Sequence, residues 1–259
     1  MQKCFFGLGL AAALAGFDPR EVPSPVWWLV GATGVAHGLY FYWMSRAFEG
    51  GALSLVYPIV RSTPAFLPFF AVAWLGESVS APAAAGIAVV VAGIWLVHTG
   101  GDLRWRALVA PGTGFAYLTL LATVAYSLAD KQAMARLSEA PWSGPLPRSV
   151  VYFFLITGAN ALVFVPLAAR RVPWPLFREV ASGEWRRAAA AVAMSFVSYT
   201  LILEAYRSAP ASYVVAVRQV SVLFAVGIGA LWLREQPSRP RVIGALATVV
   251  GVALIALFP

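Results

Sequence analysis

Long apolar segments separated by short basic loops are the feature that most limits how this chain of 259 residues folds. The hydrocarbon core of a bilayer is about 30 Å thick, and a helix needs about 20 residues to cross it. Eight segments have spanning length and the first is short; in chain order they are 4–17, 27–45, 51–75, 81–99, 112–130, 149–169, 188–206, 211–233 and 242–258. The sequence therefore predicts an all-α polytopic membrane protein with nine visible transmembrane segments.

The composition excludes the main soluble classes. Hydrophobic residues make up 60% of the chain and charged residues only 12%, whereas a soluble domain carries about 25% charged residues. Disorder is excluded because apolar residues are too abundant. The net charge of +8 lies mostly in loops between apolar segments, where it sets orientation in a membrane. We expect the lipid bilayer as a partner, and no nucleic acid.

An internal repeat relates the two halves of the chain at an offset of 158 residues. The matched positions are Trp74, Leu75, Glu77, Gly86 and Gly93 with Trp232, Leu233, Glu235, Gly244 and Gly251. Such repeats are a hallmark of secondary transporters. They predict a first domain at 1–99, a linker at 100–111 and a second domain at 112–259.

The two halves differ in their number of segments. The second half has five, whereas the first has three full segments and one short one. Equal repeats predict ten helices, with roughly 45 residues, one helix and part of the next, missing before Met1. A natural nine-helix form is the alternative. An odd number of helices in each repeat would give the two halves opposite topologies, which is an inverted repeat.

Both copies of the repeat resemble an EamA domain of the drug/metabolite transporter (DMT) superfamily. The matching residues are Ala47, Phe48, Ala52, Pro58, Pro64, Leu75, Glu77, Gly86 and Gly93, and in the second copy Ala205, Tyr206, Pro210, Val217, Arg218, Leu233, Glu235, Gly244 and Gly251. The resemblance implies two inverted five-helix repeats. It also implies carriers and exporters of metabolites, often amino acids or nucleotide-like compounds. The chain departs from the pattern in two ways. Its first repeat lacks the expected first helix, and its second copy has Arg234 at the position where the first copy has Gly76.

Two arginines inside apolar segments are the leading candidates for substrate binding, because intramembrane charges mark functional sites. Arg61 matches Gln219 in the second copy of the repeat, and Arg218 directly precedes Gln219. Guanidinium groups bind carboxylates and phosphates bidentately. We therefore predict that Arg61, Arg218, Tyr57 and Gln219 contact a substrate with an anionic group. The alternative is structural: each arginine bonds helix carbonyls or pairs with Glu204.

Prolines interrupt the segment that holds Arg61. Pro58, Pro64 and Pro68 each lack a backbone donor and favour a kink. Irregular backbone at membrane depth is tolerated where protein or a watery cavity satisfies it. The segment therefore predicts a cavity, with simple helix curvature as the alternative. The paired segment has Gly227 and Gly229 instead.

Aromatic side chains in other segments are further candidates. His37 and Tyr40 are three residues apart and share a helix face. Together with Tyr126 and Tyr199, they are predicted to line a site for a planar or amphipathic solute. Helix packing is the alternative for each of them.

Few carboxylates lie near the apolar segments. Glu204 is the candidate for a proton or cation site, with an interfacial residue or arginine partner as the alternative. Asp130 and Glu49 end their segments, so we expect them at the membrane interface. Glu77 and Glu235 precede turns and are predicted to bond loop backbone.

The sequence has no Gly-x-Ser-x-Gly, His-Glu-x-x-His or Walker motif, so we expect no enzyme activity and no ATP-driven pump. One cysteine and two histidines predict no metal site and no cofactor. The expected function is a monomeric secondary transporter or exporter of small organic metabolites, which works by alternating access in the bacterial inner (plasma) membrane. The alternatives are a non-transporting membrane partner subunit and a membrane-embedded enzyme for lipid-linked substrates.

The orientation is left open. Twelve Lys and Arg residues fall on one side of the predicted membrane and five on the other. The positive-inside rule then places the carboxy terminus outside, whereas the EamA resemblance implies a cytoplasmic carboxy terminus.

Overall fold

Regular secondary structure is entirely helical in the described part of the chain. The computed structural model describes residues 18–50, 53–101, 108, 113–231, 234 and 238–259. Its α-helices are α1 (Ser24–Gly50), α2 (Leu53–Arg61), α3 (Thr63–Leu75), α4 (Ala81–Thr99), α5 (Gly114–Glu139), α6 (Arg148–Ala169), α7 (Trp174–Ser208), α8 (Ala211–Val217), α9 (Ser221–Leu231) and α10 (Arg239–Leu257). Short 3-10 helices cover Pro19–Glu21 and Arg218–Val220. The predicted segment 4–17 and most of the linker lie outside the described residues.

Six helical stretches among the described residues are long and apolar enough to cross a membrane. They are Val56–Leu75, Ala81–Thr99, Arg148–Ala169, Trp174–Ser208, Ala211–Ile228 and Arg239–Leu257. The all-α membrane fold is therefore confirmed, and the count of nine segments stays a prediction.

Several helices continue beyond the apolar segments that predicted them. α5 runs to Glu139 rather than to residue 130, and α7 begins at Trp174 rather than at residue 188. A charged residue ends an apolar run but not a helix, because Ala, Arg, Lys and Glu are all good helix formers. The expectation that Asp130 lies at a segment end is consequently wrong, since it lies well inside α5.

The helix that carries the prolines is broken at Ser62. Its hydroxyl donates to the Pro58 carbonyl at 2.7 Å and accepts from the Trp95 indole N–H at 2.8 Å. Pro64 follows in the first turn of α3, a position where its missing N–H is tolerated. The irregular backbone predicted for this segment is confirmed.

The paired segment is broken elsewhere than predicted. Gly227 and Gly229 lie inside α9, and the irregular backbone is the 3-10 turn Arg218–Val220. At the repeat offset of 158, this turn matches residues 60–62. Both copies of the repeat are therefore interrupted at the same position.

The chain divides into two compact units. Unit 1 comprises Met1–Tyr42 and Ala125–Ala209, and unit 2 comprises Trp43–Val124 and Pro210–Pro259. In unit 1, α1 packs against α6 through glycine: a Cβ at Gly34 would collide with the Cβ of Ala159.

In unit 2, α4 and α10 pack against each other through paired glycines. A Cβ at Gly86 would lie 2.7 Å from the Gly251 carbonyl oxygen, and one at Gly93 2.6 Å from the Gly244 carbonyl oxygen. The lower-numbered glycine of one helix meets the higher-numbered glycine of the other, so the helices are antiparallel. Small residues permit such close backbone approach in membranes.

Glu77 joins the two copies of the repeat within unit 2. Its carboxylate accepts hydrogen bonds from Ala211 N at 2.5 Å, Ser212 N at 3.2 Å and Ser212 Oγ at 2.8 Å. These contacts satisfy free N–H groups in the first turn of α8. The predicted structural role of Glu77 is confirmed, although it bonds α8 rather than its own loop, and Glu235 lies outside the described residues.

Candidate functional site

The predicted site residues fall into two groups, one in each unit. The first, the Arg61 cluster, comprises Arg61, Tyr57, Gln219, Ser221 and His98 in unit 2. Arg61 Nη2 donates to Tyr57 Oη at 2.8 Å, and Nη1 donates to Gln219 Oε1 and Ser221 Oγ, both at 3.4 Å. The guanidinium also lies over the Tyr57 ring, 5.1 Å from its centre. Tyr57 stacks on His98 at 4.8 Å between ring centres.

Arg61 occupies its position because α2 ends there. It is the last residue before the break at Ser62, so its side chain leaves the helix where the regular ladder stops. Gln219, its counterpart in the repeat, is 4% exposed and donates its own amide to the Val215 carbonyl at 3.2 Å. That bond orients Oε1 as an acceptor for Arg61. A contact between repeat-equivalent residues forms one edge of the cluster.

Neutral groups are the partners of Arg61 among the described residues. Across the part of the chain that the structure describes, its hydrogen bonds reach a phenol, an amide and a hydroxyl, and no carboxylate lies within ion-pair distance. Two of these bonds are long at 3.4 Å, beyond the usual N–H···O range. A half-buried guanidinium held in this way retains the capacity to bind a carboxylate or phosphate.

Arg218 lies in the same unit, at the start of the 3-10 turn and directly before Gln219. It is half-buried. Both arginines therefore lie at helix breaks, although the sequence predicted irregular backbone around Arg61 only. A clamp formed by the two arginines together stays a prediction.

The second group, the Asp130 cluster, comprises Asp130, Thr33, Tyr152, Tyr199 and His37 in unit 1. Asp130 is 0% exposed. Its Oδ1 accepts from Thr33 Oγ1 at 3.0 Å and from Tyr152 Oη at 2.9 Å, while Oδ2 accepts from Tyr199 Oη at 2.5 Å. Helices α1, α5, α6 and α7 each contribute a side chain. Three hydroxyl groups therefore surround one buried carboxyl group.

The predicted aromatic candidates extend this cluster. Tyr199 Oη lies 3.3 Å from His37 Nε2. The His37 ring packs on the Tyr126 ring, with 3.9 Å between ring centres, and its centre lies 6.4 Å from that of the Tyr40 ring. The structure thus brings His37, Tyr40, Tyr126 and Tyr199 close together in unit 1. A solute site lined by these residues stays a prediction.

Asp130 is the residue that sequence analysis missed. It was expected at the interface, yet it is the centre of a buried hydrogen-bond network. One signal pointed there: Tyr126 and Asp130 are four residues apart, so they share a face if the helix continues past the charge.

Glu204 lies outside both clusters. It forms an ion pair with Arg207 one turn along α7, and its side chain is 44% exposed. The alternative role as an arginine partner is confirmed, although the partner is neither Arg61 nor Arg218.

Within the described ranges, no group of three or more His, Cys, Asp or Glu side chains is placed to hold a metal ion.

The sequence profile of the EamA-like transporter family matches residues 2–99 and again residues 111–257. The two matched stretches follow one another, so the chain carries two EamA repeats. Among curated proteins, none matches the chain significantly.

Proposed function

Because the chain belongs to the EamA-like transporter family, we propose that it is a secondary transporter that exports small organic metabolites by alternating access. The family and the apolar helices make it a membrane transporter of the DMT type. We further propose that it acts as a monomer in the bacterial plasma membrane. Its substrate carries a carboxylate or phosphate that binds at the Arg61 cluster.

Two features of unit 2 support an inverted repeat. Two copies of a repeat that are related by a two-fold axis form their contacts in reciprocal pairs. If one residue of the first copy contacts a second residue of the other copy, the repeat equivalents of these two residues are also in contact. The contacts Gly86–Gly251 and Gly93–Gly244 follow that rule, since Gly86 matches Gly244 and Gly93 matches Gly251. Transporters with inverted repeats bind substrate at discontinuous helices, and both copies here are interrupted at matched positions.

The single observation that carries the substrate site is Arg61 itself. A charged residue within a membrane helix is retained for function or paired with an opposite charge. Arg61 is half-buried at a helix break, and its partners in the described residues are neutral. An anion that replaces the two 3.4 Å contacts would convert weak bonds into charge-assisted ones.

The test is ligand-induced thermal stabilisation of the protein in detergent. The panel contains glutamate, succinate, AMP and glucose 6-phosphate, with glutamine, adenosine and glucose as neutral counterparts. A ligand at 100 times its dissociation constant adds about 2.7 kcal/mol to stability. We expect an anionic compound to stabilise wild type and Arg207→Ala, a matched control outside the cluster, but not Arg61→Ala.

Equal stabilisation of wild type and Arg61→Ala by every active compound would overturn the assignment of Arg61. The transporter assignment is tested separately in proteoliposomes loaded with the stabilising compound in radiolabelled form. Efflux from wild-type vesicles above that of protein-free vesicles is expected. Binding without efflux would favour the non-transporting partner subunit.

A further inference from the structure

We propose that His98 is a second anion-binding side chain of the Arg61 cluster, and that it takes up a proton from water when a dianion binds. The substrate class is then a compound with two negative charges, one for Arg61 and one for the His98 imidazolium. This inference rests on the proposed function and deepens it. The observation that carries it is the ring of Tyr57, which packs against both groups.

Tyr57 fixes the position of His98 relative to Arg61. The rings of Tyr57 and His98 are stacked, with 4.8 Å between their centres and 28° between their planes. The phenol oxygen of Tyr57 accepts from Arg61 Nη2 at 2.8 Å, and the guanidinium lies 5.1 Å from the centre of the same ring. One aromatic ring therefore joins the guanidinium of α2 to the imidazole of α4, so an anion bound at Arg61 lies within reach of His98.

The imidazole of His98 is oriented by its own helix. Its Nδ1 lies 2.8 Å from the carbonyl oxygen of Ile94, one turn earlier in α4. A carbonyl oxygen only accepts, so Nδ1 carries a hydrogen and donates it. Nε2 is then the nitrogen that gains a proton when the ring becomes charged. A neutral ring presents a lone pair at Nε2, which repels an anion, whereas an imidazolium donates from Nε2 to the anion.

Charged groups act on His98 from two neighbouring helices. They are the guanidinium groups of Arg61 on α2 and Arg241 on α10, and Arg241 is exposed, so water and salt screen its charge. Helix α3 has no titratable side chain, and Tyr213 on α8 lies beside Ser80 at the other end of α4. His98 is the one titratable side chain of α4 itself.

The charge of His98 should therefore follow the ligand. An imidazole is mostly uncharged at about pH 7.5, and the positive charges of Arg61 and Arg241 oppose another one nearby. A dianion reverses this balance, because it places two negative charges beside the ring. The imidazole then takes one proton from the aqueous buffer. The bound dianion, the guanidinium of Arg61 and the imidazolium together have no net charge.

The test is nitrogen-15 NMR of the protein in detergent, with labelled histidine, at about pH 7.5. The chain has two histidines, so the spectrum of His98→Gln assigns both. We expect His98 to be an uncharged Nδ1–H tautomer without ligand and an imidazolium with saturating succinate or glucose 6-phosphate. Glucose should change nothing. A response to only one of the two dianions would identify a dicarboxylate or a phosphate ester as the substrate. An uncharged His98 beside a bound dianion would overturn the proposal.

Calorimetry gives an independent measure of proton uptake. Binding enthalpies of the same dianions are compared in buffers that differ in their own ionisation enthalpy. Wild type and Arg207→Ala, the control outside the cluster, should take up close to one proton per dianion. His98→Gln, which keeps an amide donor, and His98→Phe, which keeps a stacked ring, should take up none. Equal uptake in wild type and in both His98 variants would overturn the role of His98.

The pH dependence of affinity follows from the same linkage. Because the bound state holds one more proton, wild-type affinity should fall up to about tenfold for each pH unit above about 7.5. The affinity of His98→Gln should be weaker at about pH 7.5 and nearly independent of pH above it. An identical pH profile in the two proteins would contradict proton uptake by His98.

Failure of this inference is distinguishable from failure of the substrate site. Dianions that stabilise wild type but not Arg61→Ala, with His98 uncharged throughout, would keep the site and remove His98 from it. Stabilisation by glutamate, which has a net charge of minus one, but by no dianion would overturn the substrate class. If no anion stabilises wild type, both the site and the role of His98 are wrong.

Discussion

The Arg61 cluster and the Asp130 cluster differ in how tightly each bonds its charged side chain. Both belong to a membrane transporter, and in both a charged side chain forms hydrogen bonds with hydroxyl or amide groups. Arg61 is half-buried and two of its bonds are 3.4 Å long. Asp130 is fully buried and its three bonds are 2.5 to 3.0 Å long. The donors of Arg61 are therefore only weakly used within the protein, whereas the oxygens of Asp130 are tightly bonded within it.

The difference also concerns stability. Removing the centre of a buried network leaves donors without partners, and each such donor raises the free energy of the folded state by about 1–3 kcal/mol. Removing Arg61 breaks one bond of ordinary length and two long, weak ones. The two clusters should therefore respond unequally to matched substitutions.

The largest expected effect is at Asp130. Asp130→Leu leaves Thr33, Tyr152 and Tyr199 without their acceptor, so we expect a loss of about 3 kcal/mol or more in unfolding free energy. Asp130→Asn, which keeps one acceptor oxygen, should lose less, and Arg61→Leu should lose about 1 kcal/mol or less. Thermal unfolding in detergent measures all three. Equal losses for the two leucine variants would break the comparison.

A smaller effect is expected at the edge of the Asp130 cluster. Tyr199→Phe removes one of the three donors and keeps the ring, and we expect a loss of about 1 kcal/mol. Tyr126→Phe is the matched control, because its packing on His37 uses the ring. The same unfolding measurement applies. A larger loss for Tyr126→Phe than for Tyr199→Phe would contradict the hydrogen-bond argument.

The corresponding change in the Arg61 cluster should be milder still. Tyr57→Phe removes the 2.8 Å bond to Arg61 but keeps the stack on His98. We expect a loss of about 0.5 kcal/mol in stability, together with altered stabilisation by the anionic panel compounds. Unchanged anion binding would show that Tyr57 does not position the guanidinium for a ligand.

The smallest effect is expected at Glu204. Its ion pair with Arg207 is partly exposed, and such pairs contribute about 0.5 kcal/mol or less. Glu204→Gln should therefore match wild type in thermal unfolding and in stabilisation by the anionic panel compounds. Loss of that stabilisation in Glu204→Gln would place Glu204 in the substrate site.

Much of the fold follows from local sequence. The predicted segment 81–99 coincides with α4, because Ser80 caps its first turn and Gly100 ends it in a left-handed conformation. The prolines of the 51–75 segment located a real helix break. The glycines of the repeat proved to be the contact points of α4 and α10.

Two features could not be predicted in the same way. The second break contains neither proline nor glycine in the turn Arg218–Val220, so no local signal marks it. Asp130 was placed at the interface because a charge ends any apolar run. Whether a charged residue is exposed or buried depends on the partners that other helices bring to it.

The sequence by itself determined that this protein is a helical membrane transporter of two related repeats, because apolar length, repeat spacing and motif residues are properties of the chain. It also marked Arg61 and the aromatic candidates as residues for a site. The tertiary structure alone decided that Thr33, Tyr152 and Tyr199 meet at Asp130, across separations of up to 97 residues from it. Such a network is decided by packing, since its energy exists only when distant hydroxyl groups replace water around one carboxyl group.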